Sequence, residues 1–147
     1  MRKLKAAVDI LMFAALIVTL FTMRGNATVH TVAGCIFIIL MVIHVMMHRK
    51  WITGVTKKLS KVKPEIRKQY ITNVIMAVMW SICIVTGVIL GAGTLMAAES
   101  AASAGIRRAH GITGAIALIL TVVHVIQHRR RFITLLKGTR HGTGHAN

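Results

Sequence analysis

Three histidines in the first third of the chain recur, with identical spacing, 80 residues further along. The six residues are His30, His44, His48, His110, His124 and His128. A glycine four residues after the first histidine of each set, Gly34 or Gly114, recurs with them. Imidazole nitrogens bind zinc, copper and haem iron, so these histidines are the first candidates for a metal or cofactor site.

The spacing within each set indicates two sites at different depths. His30 and His44 are 14 residues apart, which is about 21 Å along an α-helix. In a left-handed bundle with about 3.5 residues per turn, residues at this spacing share one face. If the two helices run in the same direction, His110 comes level with His30, and His124 comes level with His44. Two imidazoles that face each other across a bundle supply both axial ligands of a haem iron, so the spacing predicts two stacked bis-histidine sites.

Four apolar runs would position these histidines, at residues 6–23, 29–47, 70–92 and 109–127. Each run is close to the roughly 20 residues that a helix needs to cross a bilayer. Within lipid the backbone must satisfy its own hydrogen bonds, so the runs should be helical. The sequence therefore predicts an all-α integral membrane protein, a four-helix bundle.

The positive charges lie outside the apolar runs and predict the orientation. Of 19 Lys and Arg residues, 16 lie in the N-terminus, in residues 48–69 and in the C-terminal tail. Because positive residues favour the cytoplasmic side, both termini and the middle connection should be cytoplasmic. Topology and contacts with anionic lipid headgroups account for the net charge of +16, so we expect no nucleic-acid partner.

The first and third runs repeat as well, at an offset of 64, with Asp9 matching Asn73 and Thr22 matching Thr86. The difference of 16 between the two offsets indicates an insertion in the last outer connection. The chain is thus predicted to be one transmembrane domain, residues 1–147, made of two tandem helical hairpins. Its parts are hairpin 1 over about 5–53, a cytoplasmic loop over 54–69, hairpin 2 over 70–134 and a flexible basic tail over 135–147.

Further residues are candidates for roles around a cofactor. Gly34 and Gly114 would let a flat macrocycle lie close to the helix backbone, or would serve as small contacts between packed helices. The arginines next to the histidine levels could pair with haem propionates, or could simply fix the topology. They are Arg24, Arg107 and Arg108 on the outer side, with Arg49 and Arg129 on the inner side.

More than one interpretation is open for the last histidine of each set and for Asp9. His48 and His128 fall at the cytoplasmic edge and are interpreted as neighbours of the inner ligands. Three alternatives stay open: ligation in place of the inner histidines, pairing with haem propionates, or the lining of a quinone pocket. Asp9 is the only carboxylate within the apolar runs. It would pair with Lys5 one turn earlier or extend to the membrane interface, or would carry protons at a quinone site.

The repeated pattern H-x3-G-x9-H-x3-H, with an aspartate in the first run, resembles the dihaem cytochrome b superfamily. That superfamily includes the b-type membrane subunits of formate dehydrogenases and hydrogenases. The pattern is most similar to small bacterial four-helix proteins with a cytochrome-b-like domain, over about residues 5–135. The resemblance implies two non-covalent b haems in a bacterial inner membrane. It implies His30 and His110 as the outer ligands, and His44 and His124 as the inner ones.

The function that follows is electron transfer between a quinone pool and a redox partner, by a subunit of an oxidoreductase complex. The chain has two cysteines, no C-x-x-C-H and no nucleotide-binding motif, so flavin or iron–sulfur chemistry would come from a partner protein. Two alternatives remain. One is a metal-binding or metal-transporting membrane protein, and the other is a haem-free anchor subunit. The metal site would use the inner histidines, His44, His48, His124 and His128.

Overall fold

The computed structural model describes residues 2–95 and 102–138, with side chains for residues 4–93 and 104–129. Its four elements are the α-helices α1 (Arg2–Thr22), α2 (Ala27–Lys57), α3 (Pro64–Leu95) and α4 (Ala102–Gly138). These residues contain no strand. All four helices are long and apolar enough to cross a membrane. The expectation of an all-α protein with four candidate membrane spans is confirmed.

The helices extend beyond the apolar runs from which they were predicted. α2 continues to Lys57 and α3 begins at Pro64, so the connection expected over residues 54–69 consists of residues 58–63. Proline is favourable at the start of a helix, because its missing N–H needs no partner there. The polar ends of α2 and α3 carry no apolar signal, which is why the sequence predicts a longer loop.

The other connections are described in part. Asn26 caps α2, because its side-chain oxygen accepts a hydrogen bond from the backbone N–H of Val29 at 3.0 Å. The expected outer insertion falls partly on residues 96–101, which lie outside the described residues. The expected tail is helical up to Gly138, and residues 139–147 lie outside the described residues.

The helices associate in two pairs, α1 with α2 and α3 with α4, and α2 also touches α3. Within the second pair, the Trp80 indole N–H donates to the Thr121 hydroxyl at 3.2 Å. Between the pairs, the hydroxyls of Thr56 and Tyr70 share a hydrogen bond of 2.9 Å. Large apolar side chains face outward along all four helices; Phe21, for example, is 85% exposed. An outer surface of this kind suits lipid.

A packed layer lies midway between the two histidine levels. Phe37 is seven residues from both His30 and His44, it is buried, and its ring centroid is 4.7 Å from that of Trp80. Ala117, the equivalent of Phe37 in the second repeat, is 0% exposed. The two repeats thus exchange large and small residues, because Phe37 is matched by Ala117, and buried Leu16 is matched by Trp80. We call these four residues the middle layer.

Ala117→Leu should destabilise the protein, because the middle layer has no room for three more carbons at this position. Overpacking of a close-packed core costs about 1–3 kcal/mol. Ala115→Leu is the matched control, since Ala115 is exposed on the same helix. The free energy of unfolding in detergent micelles, followed by helical circular dichroism, measures both. Equal stabilities of the two variants would contradict the packing described for this layer.

Candidate cofactor site

The outer histidine level brings together α2 and α4, which belong to different pairs. The ring centroids of His30 and His110 are 6.2 Å apart, and the ring planes are inclined by 82°. A metal–imidazole bond is about 2 Å long, and the ring centroid lies about 1 Å behind the bonding nitrogen, so two axial imidazoles on one metal have centroids about 6 Å apart. The outer pair therefore has the separation that one metal between two imidazoles requires.

Each outer histidine is held through Nδ1 by a backbone carbonyl on the partner helix of its own pair. His30 Nδ1–H donates to the Thr19 carbonyl at 2.9 Å, and His110 Nδ1–H donates to the Cys83 carbonyl at 2.8 Å. Positions 19 and 83 are equivalent in the offset of 64. A carbonyl accepts only, so the proton is on Nδ1 and the lone pair is on Nε2. This tautomer leaves Nε2 able to bind a metal or haem iron.

The two carbonyls become accessible in different ways. Thr19 lies in the last turn of α1, where the regular backbone N–H partners of the helix run out. Cys83 lies inside α3, and there Gly87 makes room: a Cβ at Gly87 would lie 2.9 Å from His110 Cε1. In addition, a threonine three residues later donates to each carbonyl. Thr22 does so at 3.3 Å and Thr86 at 3.0 Å.

The inner histidines are held by side chains instead of carbonyls. His44 Nδ1–H donates to Asp9 Oδ1 at 2.7 Å, and His124 Nδ1–H donates to Asn73 Oδ1 at 2.7 Å. Asp9 and Asn73 are the pair that the offset of 64 matches. His124 is also within electrostatic range of His44 and Asp9, so the inner level too brings the two helix pairs together.

The partner of Asp9 differs from the one expected. Lys5 Nζ donates to the Met47 carbonyl at 3.3 Å, and the Asp9 carboxylate accepts from His44 instead. A partly buried carboxylate gains more from a short, charge-assisted bond to an ordered ring than from a flexible ammonium near the interface. The sequence interpretation that paired Asp9 with Lys5 is therefore wrong.

His48 and His128 stack beside the inner histidines. The ring centroids of His48 and His44 are 4.7 Å apart, and those of His128 and His124 are 4.6 Å apart. Ligand atoms of Asp9, His44 and His48 lie within 4.8 Å of one another, so this cluster could also hold a metal ion. We call it the Asp9 cluster.

The glycines and arginines occupy less specific positions. Next to Gly34, nothing lies within 4 Å of where a Cβ would be, so space is open there. At Gly114 a Cβ would lie 3.3 Å from Cys83 Sγ, which favours a helix-packing role. The arginines expected near the two levels are all exposed. They are Arg24, Arg49, Arg107, Arg108 and Arg129.

Comparisons of the chain with protein-family models, with curated proteins and with solved structures find no match. The resemblance to cytochromes b thus stays a prediction.

The hydrogen-bond partners of the outer histidines were not predicted from the sequence. Thr19 and Cys83 act through backbone carbonyls, which carry no residue-type signal. The residue that matches Gly87 in the first repeat is Met23, so this glycine does not recur. The recurrence of Thr22 and Thr86 was the one available signal, because each threonine bonds to the carbonyl that a histidine uses.

Gly87→Ala should displace the His110 ring, because the new methyl group would overlap ring atom Cε1. We expect the ¹⁵N signals of the His110 ring to change, with loss of the Nδ1–H tautomer. Gly91→Ala is the matched control one turn along α3, where a Cβ would make an ordinary contact of 3.9 Å with Thr31. Identical His110 signals in both variants would show that Gly87 does not admit the ring.

Proposed function

We propose that this chain is a membrane b-type cytochrome that holds two b haems and passes electrons between the two sides of a membrane. His30 and His110 would hold one haem, and His44 and His124 the other. The observation that carries the proposal is the outer pair, with ring centroids 6.2 Å apart and both Nδ1 atoms already bonded to carbonyls.

The number of ligands at the outer level favours haem over a single metal ion. A structural zinc ion takes four protein ligands and a catalytic one takes three. Among the described residues, no group of three His, Cys, Asp or Glu ligand atoms includes the outer pair. Two imidazoles from opposite sides are sufficient for haem, since the porphyrin supplies the other four ligands.

The chain's own groups would orient the ligands. Hydrogen bonds to Nδ1 fix the direction of each ring and direct the Nε2 lone pair away from the partner helix. Haem held by these histidines would supply one-electron chemistry, and a histidine from each of two helices would leave its iron without a site for oxygen. The middle layer around Phe37 and Trp80 fills the space between the levels, which are about 21 Å apart along α2.

The proposed topology has two tandem hairpins with both termini in the cytoplasm of a bacterial cell. The charge distribution supports the orientation, and the pairing of α1 with α2 and of α3 with α4 supports the hairpins. In this topology His30 and His110 lie toward the outer side of the inner membrane. Exposed Arg107 and Arg108 precede His110 by less than one turn, where they would pair with haem propionates.

A single membrane cytochrome needs an electron donor and an acceptor. We propose that the chain works as an electron-transfer subunit between a quinone pool and a flavin or iron–sulfur protein. Bis-histidine sites at two depths support this role, because they would relay electrons across most of a bilayer without a mobile carrier.

Purified protein from haem-sufficient cells should contain two haems per chain, by pyridine haemochrome analysis and a dithionite-reduced spectrum. His30→Ala and His44→Ala should each lose one haem, because each removes an axial ligand at a different level. The double variant should lose both. His48→Ala should keep two, since His48 only neighbours His44 in this proposal. Colourless wild-type protein would overturn the proposal.

The Asp9 cluster favours a second candidate function, the binding of a metal ion at the inner level. Three ligand atoms within 4.8 Å of one another suit zinc or copper. A metal ion bound through His44 Nδ1 would have to displace the hydrogen bond of 2.7 Å to Asp9, which makes this candidate the weaker one. It predicts one zinc or copper ion per chain in colourless protein, lost in His48→Ala, by elemental analysis.

A further inference from the structure

The four Nδ1 partners differ in one respect, their charge. The outer histidines bond to two neutral carbonyls, and His124 bonds to the neutral amide of Asn73. Only His44 bonds to a carboxylate, that of Asp9. Asp9 and Asn73 occupy equivalent positions and make bonds of equal length, 2.7 Å. The two repeats therefore build the same contact with different charge.

We infer that Asp9 is a positioning residue that lowers the reduction potential of the inner site, an effect that has no counterpart at the outer site. This inference rests on the proposed haem-binding function and adds an electrical asymmetry to it. In the proposed topology, this effect favours movement of an electron from the cytoplasmic level to the outer level.

The physical reason lies in the charge of the iron. Oxidation of a bis-histidine haem adds one positive charge, so a nearby carboxylate stabilises the oxidised form more than the reduced form. The same carboxylate, as acceptor of Nδ1–H, makes imidazole a more electron-donating ligand. Both effects lower the potential, and neither acts at the outer level, where the acceptors are carbonyls.

The groups beside the Asp9 carboxylate are imidazoles, because ligand atoms of His44 and His48 lie within 4.8 Å of it, and among the described side chains no Lys or Arg forms an ion pair with it. Lys5, the nearest cation along α1, donates to the Met47 carbonyl. Asp9 is the only carboxylate in the four apolar runs, so no second acid contributes to this effect within them. The Asp9 and His44 side chains are only partly exposed, 32% and 22%, so water screens their interaction incompletely.

The test is a redox titration of haem-loaded protein at constant pH, followed by visible absorption. The Asp9→Asn variant keeps an acceptor oxygen and removes the charge. We expect the inner site to become about tenfold easier to reduce, which is about 59 mV for a one-electron couple. Asn73→Asp should shift the inner potential in the opposite direction. The exchange Asp9→Asn/Asn73→Asp should restore a potential close to that of the wild type.

Single-haem backgrounds assign each potential to a level. In His30→Ala, only the inner haem should remain and should respond to Asp9→Asn. In His44→Ala, only the outer haem should remain and should not respond. If Asp9 had only a structural role, its replacement would change the haem content or the stability of these proteins. The inner reduction potential would then not be restored by the exchange Asp9→Asn/Asn73→Asp.

The possible outcomes distinguish a failure of this inference from a failure of the proposed cytochrome function. Two haems with an unchanged inner potential in Asp9→Asn overturn the inference and leave the cytochrome proposal standing. Wild-type protein without haem overturns both. If Asp9→Asn loses the inner haem, the Asn73→Asp variant becomes the test, because it retains Asp9 and adds a second carboxylate at the equivalent position. An inner reduction potential that does not fall in Asn73→Asp overturns the inference.

Discussion

The Nδ1–H hydrogen bond is the constraint on which the rest of the site depends. A neutral imidazole donates from one nitrogen only, so a bond at Nδ1 leaves the lone pair on Nε2. All four paired histidines make this bond to the neighbouring helix of their own pair. Without an acceptor, a buried N–H within an apolar bundle would cost about 1–3 kcal/mol. Each bond thus removes that cost and directs Nε2 away from the helix that supplies the acceptor.

The two repeats meet this requirement by different local means. In the first, α1 ends close to the outer histidine, so the carbonyl of Thr19 is available. In the second, α3 continues past the outer level, and Gly87 lets the His110 ring approach an intact helix. At the inner level, an acid in one repeat and an amide in the other accept bonds of the same length. The feature that recurs in both repeats is the position of an acceptor oxygen atom. This requirement restricts the residue type only where the oxygen belongs to a side chain.

This difference explains how much could be predicted from the sequence. The apolar runs predicted four helices, and histidine spacing predicted two levels, because both depend on periodicities that lipid and helix geometry impose. Backbone carbonyls have no such signature, so the acceptors for His30 and His110 stayed hidden. Asp9 was assigned to Lys5 because a contact four residues away is visible along the chain, whereas His44 is 35 residues distant. Helix ends were underestimated where polar residues prolong a helix outside the apolar run.

The histidine levels also bear on how the two helix pairs stay together. Besides the contacts between α2 and α3, the His30–His110 pair brings α2 close to α4. Lipid tails are as apolar as the side chains, so the burial of apolar surface contributes little free energy to the association of the two pairs in a membrane. A group bound by His30 and His110 would join them directly, and its binding free energy would add to the free energy of unfolding. On the proposed function, haem is thus a part of the structure as well as the carrier of electrons.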